Sequence, residues 1–359
     1  MHRNCKADES IERVEYDGFT FPLGVYPIEE MQPKPGYASA FEPADGSNED
    51  DGTGGETGEA DMEHWPDRYV YDVVVSASRV EALVIHLLGM MPLRVYPILD
   101  YIGHDAYREI DPYISYELCG LDHVLDAVTR CRDFFFEDGM CGFGALAEDP
   151  FFYLFVDEHK IVTIRVAPEM QQRVEKVLEA FDLEEVPEPA GADSAAHEHR
   201  GVLVAPGDDP GLLTTEEIVE RLRDIWHLTL NIDPTSNLDD GGRDLGATPW
   251  RCLVHWHGDN GTPDAYGEVL LVADCLAQAE ELAFDAATAL ADRRREYAEL
   301  TPDARLVAAD RMTVEQFREI LERHRAATRG SRGAKATPAK GSASTLIRKG
   351  PSVVSAVWL

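Results

Sequence analysis

Between Tyr69 and Ala327 the apolar residues recur with two periods, and each period predicts its own kind of element. The clearest stretch is 151–166. Residues 151–156 are continuously apolar, Asp157-Glu158-His159-Lys160 is polar, and 161–166 alternates. Val162, Ile164 and Val166 fall on one face and Thr163 and Arg165 on the other, which predicts a β-hairpin with a four-residue loop. Residues 69–76, 93–101 and 141–147 read as further strands. Val80, Leu83, Val84, Leu87 and Leu88 recur at helical spacing, so 79–91 predicts an amphipathic helix, ended by Pro92. Residues 121–136 and the segment from Pro168 to Phe181 read as two more helices.

A second patterned region begins near Gly201. Residues 202–205 and 228–232 read as short strands, and 250–257 and 266–273 as strands flanking a polar hairpin loop. Thr214 and Glu217 form a capping box before the stripe Ile218, Leu222 and Ile225. Asp274 caps a long helix whose inner side carries Leu276, Ala279, Leu282, Ala283, Ala286 and Leu290. Residues 305–309 read as an edge strand, and Thr313 with Gln316 opens a helix to about Ala327.

The fold class expected is α+β: two small α/β-sandwich modules with mostly antiparallel sheets and helices on one face. The boundaries are an N-terminal segment and acidic linker over 1–68, a first domain over 69–183, a linker over 184–200, a second domain over 201–327, and a tail over 328–359. Residues 41–67 hold ten acids and no Lys or Arg, too little apolar surface to offset chain entropy, so a disordered linker is expected. The basic tail is expected to be disordered as well, ending in an apolar patch suited to docking a partner.

Charge sharpens this division. The chain carries a formal −34, with no acidic residue after Glu322, so the tail holds +8 and residues 1–322 hold −42. Such a body repels phosphate backbones and anionic lipid. Nucleic acid is therefore an expected partner only for the tail, and no membrane partner is expected; a protein partner or self-association fits the charge better. Six cysteines without a C-x-x-C pair read as free thiols in a reducing compartment. The first residues lack a secretory pattern and no long apolar run occurs, so a cytoplasmic location is expected.

Two stretches carry chemistry worth placing. Residues 100–116 combine His104, Asp105, Arg108, Glu109 and Asp111 with four tyrosines after a strand; a His near carboxylates suits acid–base work, and Arg holds anions. His255 and His257 lie at i and i+2, on one strand face, and with Asp259 form a candidate set for a divalent metal, the one cofactor the pattern allows. His197 and His199 repeat that spacing, but in an Ala-rich linker that offers no scaffold to orient them. Asp157-Glu158-His159-Lys160 reads as a solvated turn. No phosphate loop, dinucleotide fingerprint, nucleophile elbow or H-E-x-x-H run occurs. The leading reading is a non-catalytic binding or regulatory protein; the alternative is a metal-assisted or acid–base hydrolase using the 100–116 loop or the His255/His257 pair.

Overall fold

Runs rich in β-branched and aromatic residues form the strands, and segments with a 3.6-residue apolar stripe form the helices. The structure, a computed structural model, describes residues 3–44, 65–207, 209, 211–258, 264–293, 297, 304–330 and 341–359, with the side chains of 327–330 left aside. The expected acidic linker lies mostly outside the described residues.

In chain order the first elements are β1 (Glu15–Tyr16), β2 (Phe19–Thr20), β3 (Val25–Pro27), β4 (Gly36–Glu42), β5 (Arg68–Val74), α1 (Ala77–Leu88), β6 (Arg94–Ile102), β7 (Ile110–Ser115) and β8 (Cys119–Gly120). Then come α2 (Leu121–Arg130), α3 (Arg132–Phe136), β9 (Cys141–Glu148), β10 (Phe151–Val156), β11 (Val162–Val166), α4 (Gln171–Ala180), β12 (His197–His199), α5 (Thr215–Ile225) and β13 (Leu228–Leu230). The remainder comprises β14 (Thr248–Trp256), β15 (Ala265–Ala273), α6 (Leu276–Ala291), β16 (Ala304–Arg311), α7 (Val314–Gly330), α8 (Ala343–Ile347) and β17 (Ser352–Trp358).

The chain is mixed α and β with antiparallel sheets, as expected, and divides into two units. Unit 1 comprises Met1–Tyr101 and Pro112–Asn231; unit 2 comprises Ile102–Asp111 and Ile232–Leu359. This division differs from the one read from the pattern. Residues 184–231 belong with unit 1, and the polar stretch after Tyr101 belongs with unit 2. The difference arises because β13 adds to the sheet of unit 1 beside β7, although its segment reads as part of the second domain.

Unit 1 is built on a sheet ordered β13-β7-β6-β9-β10-β11-β5-β4, with β8 pairing β6. The β10–β11 hairpin forms in the expected register, Leu154 opposite Ile164 and Val156 opposite Val162. Val162, Ile164 and Val166 are fully buried beneath α1 to α5, in one core with Leu83, Leu87, Phe134, Phe143, Leu178 and Leu222. The other face carries half-exposed Tyr153, Phe155 and Arg165. The helix expected over 121–136 breaks at Cys131, giving α2 and α3. The capping box of α5 has both of its bonds, Glu217 N–H to Thr214 Oγ1 and Thr214 N–H to Glu217 Oε2.

Unit 2 has a four-stranded sheet ordered β16-β14-β15-β17. Alternation sends Val254 and Trp256 toward α6, and Leu270 and Val272 toward α7 and α8, so helices cover both faces. Cys275, not Asp274, occupies the cap position of α6. The apolar end expected to be an untethered docking patch is β17, which completes the sheet beside β15. Its Val and Trp content gives it the same pleat-filling character as any inner strand. Among the described residues no helix is long and apolar enough to cross a membrane.

A buried polar chain crosses the α7 face. His324 Nε2 lies 2.6 Å from Glu268 Oε2 and its Nδ1 lies 3.0 Å from Ser355 Oγ, while Arg251 Nε donates to Glu268 Oε1 at 2.5 Å. Burial alone would push the Glu268 carboxyl up; the hydrogen bonds from His324 and Arg251 overcome it and hold the group at about 2. The chain thus ties β14, β15, α7 and β17 together through side chains that are each paired.

Two outcomes test this fold. Ile164→Ala removes a fully buried side chain from the centre of the unit 1 core and should lower unfolding free energy by about 2–5 kcal/mol in urea titration. The ionised Glu268 stabilises the fold above the ordinary carboxyl range, about 4.3, and that contribution disappears as pH falls toward its folded value of about 2. Urea midpoints measured across that window should fall more steeply for the natural chain than for Glu268→Gln.

Candidate metal centre

Three backbone segments cross closely at one end of unit 1. Gly24 N–H donates to Glu137 O at 2.7 Å, Arg200 N–H to Gly24 O at 2.8 Å, and Gly139 N–H to Arg200 O at 3.1 Å. A Cβ on either glycine would lie 2.0 Å from the other's backbone, so only glycine allows this approach. The crossing aligns β3 with β12, which pair antiparallel as His197–Pro27, Glu198–Tyr26 and His199–Val25. The segment read as a linker without a scaffold is therefore a short strand. Its period of two places His197 and His199 on one side, with Glu198 on the other holding Arg200 at 2.6 Å.

The tip of the β10–β11 hairpin supplies a third imidazole. Asp157 Oδ1 accepts from Ile161 N–H at 2.8 Å, and Asp157 O accepts from Lys160 N–H at 3.1 Å. Lys160 takes a left-handed φ of 66°, and its buried ammonium donates to Cys141 O at 2.6 Å. This tight turn holds His159 inward, with a side chain only 15% exposed. The expected solvated turn is in fact half-buried.

The three rings meet edge to face, with centroids 4.7, 4.8 and 4.9 Å apart. His197 Nε2 lies 2.9 Å from His159 Nε2 and 3.1 Å from His199 Nε2. Each Nδ1 faces an oxygen. His197 Nδ1 is 2.8 Å from Ala195 O, His199 Nδ1 is 2.9 Å from Gly139 O, and His159 Nδ1 is 3.2 Å from Asp157 Oδ2. Carbonyl and carboxylate oxygens only accept, so every Nδ1 carries the proton and the neutral rings turn bare Nε2 lone pairs toward one another. Facing lone pairs repel unless a cation lies between them, either a proton or a metal ion.

Electrostatics divides the three rings. Burial lowers the basicity of His159, but the hydrogen bond to Asp157 and the charges of Asp157, Glu158 and Asp193 outweigh it, and the net shift is upward. Burial lowers His199, reinforced by His159 and His197. Without metal, His159 is thus the ring placed to hold a proton and donate it to His197. Asp157 and Glu158 cluster with His159, but Asp157 meets its Nδ1 and so orients the ring from behind.

The residues singled out from sequence fall elsewhere. Asp105 receives Arg311 Nε at 2.9 Å, Arg108 Nε donates to Asp111 Oδ1 at 2.6 Å, and Glu109 N–H donates to Asp240 Oδ2 at 3.0 Å; His104 is exposed. The charges of that loop are committed to one another and to unit 2. His255 and His257 do lie together, ring centroids 4.1 Å apart, with His255 stacked on Tyr266 and its Nε2 3.4 Å from Asp264. Asp259 lies outside the described residues. The His159 cluster was missed because its members come from a hairpin tip and a separate H-x-H run, and only the β3–β12 pairing brings them together.

No protein-family model matches this chain, and no curated protein or solved structure matches it.

In the metal-free protein, nitrogen-detected NMR should find His197 and His199 as Nδ1–H tautomers near neutral pH, with His159 losing its second proton after His199 as pH rises. Nε2–H tautomers at His197 and His199 would contradict the hydrogen bonds that orient the rings.

Proposed function

We propose that this chain is a metal-binding protein whose His159, His197 and His199 hold one divalent transition-metal ion of the zinc class. The observation that carries this reading is the convergence of three bare Nε2 atoms, each ring fixed from behind by an oxygen on its Nδ1. That oxygen partner is the usual outer support of a metal-ligating histidine. A tetrahedral ion with bonds of about 2.0–2.1 Å sets its nitrogens about 3.3 Å apart, so separations of 2.9 and 3.1 Å need only a small outward movement. Imidazole ligands without thiolate favour zinc, nickel and copper over calcium or magnesium.

Three imidazoles leave a fourth position for water. His159 comes from the tip of the β10–β11 hairpin and His197 and His199 from β12, so the three ligands join two separate segments of the fold. This supports an ion that clamps β12 to the hairpin tip, and through β12 holds β3. It gives the binding role expected from sequence a defined ligand, in preference to metal-assisted hydrolysis. The six free cysteines, five of them buried, fit the reducing setting of a cytoplasmic protein.

Calorimetric titration of the chelator-treated protein with zinc, and with cobalt read by visible absorption, should give one ion per chain. His197→Ala and His199→Ala should each weaken binding by at least about tenfold, while Glu198→Ala leaves it unchanged. Affinity should fall as pH drops through the imidazole range, about 6.5, and the fall should begin above it because His159 is shifted upward. Near neutral pH, binding should release up to one proton, seen as a dependence of the heat on buffer ionisation. Failure to bind zinc or cobalt, or binding indifferent to all three histidines, would overturn the proposal.

A further inference from the structure

Unit 2 holds a polar cavity, unrelated to the histidine cluster. Its volume is about 190 Å³, and it is lined by Asp310 of β16, Arg251 of β14, and Gln316, Ile320 and Arg323 of α7, with Met312 beside them. His104 and Glu319 stand at its rim.

Three aspartates approach this face and two are satisfied. Asp105 takes Arg311, and Asp111 takes Arg108. Asp310 is only 6% exposed, and its Oδ2 has no hydrogen-bond partner among the described residues. Its cross-strand neighbour Arg251 directs Nε to Glu268 instead. A buried carboxyl oxygen without a partner is costly, so such a group at a cavity wall points to something that enters the cavity.

The surroundings say what enters. Burial, with the charges of Asp111 and Asp105, pushes Asp310 up to about 7 against the opposing pull of Arg251 and Arg108. A protonated Asp310 donates a hydrogen bond, and the guanidinium groups of Arg251 and Arg323 supply positive charge. A ligand oxygen bearing negative charge meets both demands. With Glu319 at the rim and Asp105 and Asp111 behind, one negative charge is tolerated better than the two of a phosphate. Met312 and Ile320 give the cavity an apolar side.

We propose that this cavity binds a small monocarboxylic acid, its carboxylate accepting from Asp310 and meeting Arg251 and Arg323, and its short aliphatic or aryl body lying on Met312 and Ile320.

The test titrates the full chain, with a chelator present, using benzoate and butyrate, and with benzylamine and inorganic phosphate for comparison, followed by calorimetry and amide NMR. The acids should bind, with shifts at Asp310, Gln316 and Ile320, and the two comparison molecules should not. Above the Asp310 value of about 7, the dissociation constant should rise about tenfold per pH unit, because the donor proton is lost. Asp310→Asn keeps a donor, so it should retain binding but lose this slope. Arg323→Gln alters an exposed side chain, leaves folding intact, and should weaken binding at least about fivefold by loss of a charge-assisted contact. No binding of either acid, tighter binding of benzylamine or phosphate, an Asp310→Asn variant with an unchanged slope, or indifference to Arg323→Gln would each overturn the proposal. Should Asp310→Asn unfold, the ligand comparison and Arg323→Gln still decide it.

Discussion

A strand shows only every second side chain to a given face, and this constraint governs both chemical sites as firmly as it governs the cores. In β11 it buries Val162, Ile164 and Val166 and so fixes the hairpin whose tip presents His159. In β12 the same step of two puts His197 and His199 side by side and sends Glu198 away to Arg200. In unit 2 it sets Arg251 opposite both Asp310 and Leu270, on the face that α7 covers. A slip of one residue in any of these pairs would exchange apolar and polar sets together, so the hydrophobic register and the chemistry stand or fall as one.

The two units handle buried polarity differently. In unit 1 the imidazoles are each satisfied at one nitrogen and left facing one another at the other, an arrangement that a proton or a metal ion between them would complete. In unit 2 the charged groups are largely satisfied among themselves: Asp105 with Arg311, Asp111 with Arg108, Glu268 with Arg251 and His324. Asp310 departs from that pattern, with an oxygen left unmatched among the described residues. Burial of an incompletely matched group is expensive, and such sites persist where the mismatch serves a ligand.

Much of the fold was legible because it is written in local periods. The hairpin at 151–166, the capping boxes at Thr214 and Thr313, and the stripes of α1 and α6 need only neighbouring residues to be read, as do Ile218 and Leu222 of α5, whereas Ile225 at the end of that stripe is exposed. What escaped was non-local. The strand β12 is three residues long in an Ala- and Pro-rich stretch and owes its existence to β3, some 170 residues earlier. The terminal strand β17 was masked by the basic, Gly- and Ser-rich residues before it. The histidines carried the right spacing signal, H-x-H, at both places it occurs; composition could not say which pair a third imidazole would reach. In the loop after Tyr101 the polar residues stand out in the sequence, but their partners Arg311 and Asp240 come from far along the chain.

The segment Ile102–Asp111 belongs to unit 2 although it interrupts unit 1 between β6 and β7. Its Asp105 carboxylate is wholly enclosed and receives both the backbone amide and the side chain of Arg311, itself 4% exposed at the side chain. Unit 2 is therefore not a bead on a string that proteolysis or gene truncation could release with one cut. A fragment beginning at Ile232 would retain every strand of its sheet and yet bury a guanidinium with its counter-ion left behind on the discarded half.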